Sequence, residues 1–435
     1  MLIAAEVTVQ AMAFLVQTVP IGTNIGLIRI LWVMVNGSFL RSRGAIFSAL
    51  HLSGFDAQEI RRSWAALRYG NWEVNELLEC WQMYVASQNQ WRVRRYEHYR
   101  VLSVDITGFW RPHLQGWLGK HYHNLAQKAL PAVVVGVMVI SGQVGSHRIP
   151  LLKRLVRCQP TKGKAEFRGQ LLKEAATYAT AEMVMVMDAE FNVSEIQTSG
   201  VSRYVVRLAS NITARRKHKP LYQGKGRPPK YGDKVRPLAR HWKEHQIPAT
   251  PPDQQSHFDY QGRCIQVSFW HDLVSTDAPA AEDVGNPQGG FSIYVYADPL
   301  YKQPLVLATD LCLEPPTAYL IYRDRWPVEQ AHLAAKHMIG LHRHFVFAPE
   351  ICFRLPELGL VAGAILTYVA AVLPPVPTAF WDRTPKPTPG RLRRVLAQAD
   401  FPNLLDSDLE LRKKNSVTAH LPKGIDAHRR TKRAA

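Results

Sequence analysis

Two runs of consecutive apolar residues leave this chain few ways to fold. Pro131 to Ile140 reads PAVVVGVMVI, and Glu182 to Asp188 reads EMVMVMD. A strand with one wet face alternates polar and apolar residues, and these do not. They read as strands buried on both faces. Val101-Leu102-Ser103-Val104-Asp105-Ile106 is a further β-type run ending at an acid, Leu171–Thr180 has helical spacing, and Tyr204-Val205-Val206-Arg207-Leu208 reads as another strand. Strands and helices alternate, so the expectation is an α/β sheet.

The first hundred residues are different, being helical and aromatic. An apolar-spaced segment at Ala45–Leu52 ends in Ser53-Gly54-Phe55. Asp56 then reads as an N-cap with Glu59 three residues on, the capping-box pattern. Helix, short glycine turn and helix is the pattern of a helix-turn-helix, and equally of any helical bundle. Arg61, Arg62, Arg68, Arg92, Arg94, Arg95 and Arg100 make its exposed faces basic. The apolar stretch Ala11–Phe39 is broken by Pro20, Gly22, Asn24, Gly26 and Arg29, and Leu358–Leu373 falls short of the ~20 residues a span needs. Both read as buried helices and not as membrane spans. The five cysteines are scattered without a C-x-x-C pair, which argues against a disulfide framework and a zinc ribbon and for a reducing compartment. No basic n-region of a secretory signal follows Met1.

The 435 residues carry 54 Lys+Arg against 35 Asp+Glu, a formal charge of +19. Such a surplus predicts attraction to polyanions, nucleic acid first and a membrane surface second. It concentrates between Arg215 and Lys243, where eleven Lys/Arg face one acid, Asp233, among glycines and prolines. This reads as a basic loop or arm, with Lys225, Arg227 and Lys230 as its DNA-contact candidates. β-like pieces follow at Cys264–Leu273, Phe291–Ala297 and Leu305–Asp310, then a helix from Pro316 or Pro327 to Ile339. Beyond Pro374–Pro377 the chain is Pro-rich and basic to its end.

Three carboxylates stand out by position. Asp105 and Asp188 end apolar runs, and Glu329 starts a helix. An ionised acid on a buried run is costly unless paired or metal-bound, although strand-end acids also merely cap loops. Tyr322, Arg325, Glu329 and Lys336, spaced by three, four and seven, project onto one stripe about 60° wide at 100° per residue. Pro327 predicts that the helix begins or kinks there. Glu190 is placed to support or replace Asp188, while Asp324 lies off the stripe. No G-x-x-x-x-G-K-[ST] occurs, so nucleotide hydrolysis has no support. The paired histidines His121/His123 and His342/His344 lack a third soft ligand for zinc.

Tyr-x2-Arg-x3-Glu-x6-Lys resembles the signature of bacterial insertion-sequence DDE transposases of the YREK group, similar to the insertion-sequence-4 family. Tyr322, Arg325, Glu329 and Lys336 match it without a gap. Val104-Asp105-Ile106-Thr107 and Val186-Met187-Asp188-Ala189-Glu190-Phe191 resemble the two aspartate segments, and Leu305–Leu311 the strand before the glutamate helix. The resemblance implies an RNase H-like mixed sheet with flanking helices, interrupted by a β-rich insertion domain within the spacing of 141 residues from Asp188 to Glu329. It implies that Asp105, Asp188 and Glu329 bind two divalent ions, Mg2+ with Mn2+ as substitute, and that Tyr322, Arg325 and Lys336 hold DNA phosphates. Trp326 or Trp270 would stack on an extrahelical base, with core the favoured place for Trp270.

The implied organisation is a helical DNA-binding domain at 1–98, a catalytic core at 99–212, a basic arm and insertion domain at 213–304, a second core part at 305–375, and a basic C-terminal region at 376–435. The implied activity is cut-and-paste transposition on double-stranded DNA, by a homodimer holding two transposon ends and a target. The expected setting is the bacterial cytoplasm, at the nucleoid, without membrane association. The alternative is a decayed transposase acting as a sequence-specific repressor.

Overall fold

A computed structural model describes residues 2–111, 113–222, 224, 227–276, 289–343, 346–377 and 379–402. Lys225 and the basic end of the C-terminal region therefore lie outside the described residues. The chain forms two compact units, one of Arg92–Gln330 and one of Met1–Trp91 with Ala331 onward. The expected second core part, 305–375, straddles the boundary at Gln330.

The Arg92–Gln330 unit is mixed α/β, built on a large mixed sheet. Its main strands are β1 (Tyr99–Trp110), β2 (Lys128–Val144), β3 (His147–Arg157), β4 (Met183–Met187), β5 (Tyr204–Arg207), β6 (Arg263–Val274), β7 (Phe291–Ala297) and β8 (Leu305–Thr309). They lie in the order β3-β2-β1-β4-β5-β8-β7-β6. β1, β2 and β3 form an antiparallel meander, β4 runs parallel to β1, and β5 runs parallel to β4. β8, β7 and β6 then extend the sheet antiparallel. Parallel neighbours need a crossover. Helix Lys164–Tyr178 lies between β3 and β4 in the chain, and helix Val193–Thr198 between β4 and β5.

Period-two alternation divides the strands between two apolar layers. Leu102, Val104 and Ile106 of β1 and Met183, Met185 and Met187 of β4 join Phe167, Leu171 and Leu172 of the first helix on one side. Gly136 of β2 lets Leu171 pack close there, since a Cβ would sit 2.5 Å from Leu171 Cδ1 and the leucine would have to shift. Val101, Val184, Val186 and Val205 point the other way, into a layer closed by Ala318, Tyr319 and Ile321 of helix Pro315–Arg323. Trp270 is core: its indole is buried and donates to the Pro251 carbonyl at 2.9 Å.

Two expectations about this unit need correction. β1 does not end at Asp105 but continues to Trp110, so the acid is buried in mid-strand. The basic arm is also partly stitched into the sheet. Its segment Ala214–Arg216 pairs with both Lys234–Val235 and β6. Arg216 grips Asp253 through two bonds of 2.6–2.7 Å, and Arg215 stacks over Tyr231 and donates to the Thr276 and Gly232 carbonyls. Arg227 and Lys230 are exposed.

The other unit is helical among its described residues. Its longer helices are Leu2–Leu15, Thr23–Val35, Ala57–Tyr69, Val74–Ser87 and Pro349–Val372. The Asp56–Glu59 capping box forms: Asp56 accepts from Gln58 and Glu59 amides, and Glu59 accepts from the Asp56 amide. Thr23–Val35 and Ala57–Tyr69 cross so closely that a Cβ on Gly26 would lie 2.5 Å from Ala66 Cβ. Pro349–Val372 has 24 residues, long and apolar enough to span a bilayer, so the length argument from sequence fails. However, 89% of its apolar window is buried inside the protein. Arg354, on that helix, donates to the carbonyls of Leu67 and Trp72 and so satisfies acceptors around the end of Ala57–Tyr69. No disulfide joins any of the five cysteines.

Candidate metal centre

The sheet register explains why the acids meet. β1 and β4 pair in parallel with Leu102 opposite Met185 and Ser103 opposite Val186. Continuing that register two residues places Asp105 opposite Asp188, on strands that neighbour each other at about 4.8 Å. Both have the odd–even parity of the layer beneath helix Pro315–Arg323, so both carboxylates leave the sheet on that side. β4 stops at Met187, so Asp188 is the first residue past the strand.

The third acid arrives through a pinned helical break. Tyr319 donates to Asp298 at 2.7 Å, and Tyr294 and Tyr296 donate to the carbonyls of Leu313 and Pro315. These bonds hold helix Pro315–Arg323 against β7. The helix ends at Asp324, and a new one runs from Trp326 to Leu333 with Pro327 in its first turn. The break predicted from Pro327 is present, three residues earlier than the proline. Asp324 is fully buried there, with Arg94 at 2.8 Å and Arg148 at 3.4 Å, and Ser141 donates to its backbone carbonyl. It anchors the break and takes no place among the three acids.

Arg325, the next residue, forks between two of the acids. Its Nη1 lies 3.2 Å from Asp105 Oδ2 and its Nη2 2.9 Å from Glu329 Oε1. The Asp105 and Glu329 carboxylates have oxygens within 4.8 Å of one another and could hold a metal ion. One turn on in the same helix, the buried His332 shares the Glu329 face by its i, i+3 spacing. Asp188 lies outside that 4.8 Å set, and its Oδ1 accepts from the Glu190 amide at 2.9 Å. Glu190 itself turns to Lys164 at 3.0 Å.

The electrostatics fit a cation. Burial is the first cause that raises the Asp105 carboxyl to about 7, and Asp188 and Glu329 push the same way. Arg325 and the Ile106 amide pull it down without winning. Burial also raises the Tyr322 phenol, over whose ring Arg325 lies at 5.9 Å. For Arg325, burial lowers the pKa, but Tyr322, Asp105 and Glu329 together raise it well above the ordinary value. Two carboxylates, Asp105 and Glu329, thus meet at one guanidinium, and Asp188 adds negative charge to the Asp105 side. A metal cation would answer that imbalance.

The predicted stripe survives only in part. Tyr322, Arg325 and Glu329 lie together across the break. Lys336 lies in a π-helical turn, Ala334–Ile339, in the helical unit, where the projection at 100° per residue no longer holds. Trp326, at 61%, is an exposed aromatic at the start of the Glu329 helix. Sequence reading missed two residues. Arg207 continues the row, since β5 pairs with β4 at Met187 and Val206 and the next position faces Asp188. His332 was signalled only by its spacing from Glu329.

No protein-family model matches the sequence, and no curated protein does either. Fold and site define a mixed α/β protein with a buried acidic cluster that could hold a metal ion.

Proposed function

We propose that this chain is a DDE-type DNA transposase with an RNase H-like core, which cleaves DNA at the ends of an insertion sequence and joins them to a target. The observation that carries the reading is the meeting of Asp105 and Glu329 at Arg325, with Asp188 opposite Asp105 when the register of β1 and β4 is continued. The strand arrangement supports it: an antiparallel three-strand meander followed by two parallel strands, with one acid within β1 and the second just past β4.

Asp105, Asp188 and Glu329 would hold two divalent ions, magnesium in the first place. Bound ions there would supply an activated oxygen nucleophile and neutralise charge on the leaving oxygen. The rest falls to the chain. Arg325 and Arg207 present guanidinium forks matched to phosphate oxygens, and the Tyr322 phenol adds a donor. Exposed Trp326 offers a face on which an unstacked base can lie. Arg227 and Lys230 extend the positive field along the duplex.

Cleavage of supercoiled DNA carrying the sequence that flanks its own gene tests the proposal. Full-length protein should cut that DNA in Mg2+ and not in EDTA. Asp105→Ala, Asp188→Ala and Glu329→Ala should each abolish cutting while leaving DNA affinity within a few-fold, because affinity rests on many phosphate contacts. Near-normal cutting by any one variant removes that residue from the site. Absence of Mg2+-dependent cutting by the unsubstituted chain overturns the reading.

A further inference from the structure

We propose that Arg325 competes with a divalent cation for the Asp105 and Glu329 carboxylates, so that the centre carries its own exchangeable counter-cation. This rests on the reading of the acids as metal ligands. Arg325 makes one bond to each acid from separate nitrogens, at 3.2 and 2.9 Å, and is itself only 13% exposed. It therefore stands where a cation shared by the two acids would stand. The other Asp105 oxygen already accepts the Ile106 amide at 2.8 Å. An ion at about 2.1 Å from these carboxylates would claim the oxygen lone pairs that Arg325 uses. A guanidinium left that close to a divalent ion would also be repelled by it.

Two arrangements follow. In one, Arg325 neutralises the acids and keeps the sheet from holding unpaired buried carboxylates. In the other, the ion does so, and Arg325 swings out with its donors turned to a phosphate. The pivot is short and well anchored. Asp324 is fixed by Arg94 and Arg148, so only the Arg325 side chain has to move. Coupling the two events means that the phosphate-binding fork becomes available when the ions are in place.

Calorimetric titration of the full-length chain with MnCl2 in the absence of DNA tests this, with circular dichroism confirming the fold of each variant. Removing the competitor should tighten ion binding, so Arg325→Gln should take up Mn2+ at least tenfold more tightly than the unsubstituted chain. Arg325→Lys keeps a charge but cannot fork between two acids, and should fall between them. Should Arg325→Gln fail to fold, the lysine variant decides by the same sign. Unchanged or weaker Mn2+ binding in the folded variant overturns competition and makes Arg325 an orienting partner of the ligands. No Mn2+ uptake by any of the chains overturns the metal reading itself, and this inference with it.

Discussion

Replacing Asp105 with Asn should make the protein more stable above neutral pH while removing the proposed activity. A buried carboxyl raised from 3.8 to about 7 resists ionisation in the folded state. Between those values the folded chain binds more protons than the unfolded one, so stability falls as pH rises from about 4 to about 7 and is level beyond. The gap of about three pH units, at 1.36 kcal/mol each, caps the penalty near 4 kcal/mol. Asn keeps the shape but only one acceptor, so either Arg325 or the Ile106 amide loses its partner along with the charge. With that hydrogen bond and part of the coupling lost, a gain of about 1–2 kcal/mol at pH 8 is expected, falling below zero at pH 4.5. Urea unfolding at both pH values, in EDTA, measures it. Asp105→Asn equal to or less stable than the unsubstituted chain at pH 8, or a difference that does not change with pH, would refute the argument that charge at Asp105 is the cost.

Asp324→Ala should destabilise the protein by about 2–4 kcal/mol in urea unfolding, because it leaves Arg94 and Arg148 without the buried carboxylate between them. Their partial exposure keeps the figure below the full range for a buried pair. Arg207→Ala should leave the unfolding midpoint unchanged, since the side chain is exposed, while weakening binding to cognate DNA roughly three- to tenfold in an anisotropy titration. Substituting Gln for both Arg227 and Lys230 should weaken binding about equally on all sequences and reduce the slope of log affinity against log salt by up to about 2. An unchanged slope would place both residues off the DNA.

The sequence displayed the sheet and its acids for a physical reason. A strand buried on both faces cannot hide its composition, and an acid within such a run or just past it is costly unless it is paired. Parity alone puts Asp105 and Asp188 on one face once β1 and β4 are known to be parallel neighbours. Residue spacing did not give the helical break: a projection at 100° per residue assumes one helix, whereas Asp324 ends one and Trp326 begins another. The π-helical turn at Lys336 is hidden for the same reason. Pairing partners are non-local, so neither the antiparallel return of β8 beside β5 nor the row from Asp188 to Arg207 could be seen along the chain. Arg215 and Arg216 counted as arm charge by composition, yet long-range partners such as Asp253 and Thr276 make them structural. The chain beyond Gln330 shares a compact unit with the N-terminal helices, a long-range association that local pattern does not encode.

The proposed transposase depends on Asp105, Asp188 and Glu329 holding metal ions together. The most direct measurement is anomalous diffraction from crystals of the full-length chain, with cognate end DNA, soaked in MnCl2. Manganese peaks are expected among these three carboxylates, with Asp105 and Glu329 at coordinating distance and Arg325 withdrawn from both. No manganese at the acids, with Arg325 still bridging them and the ions bound elsewhere, would contradict it.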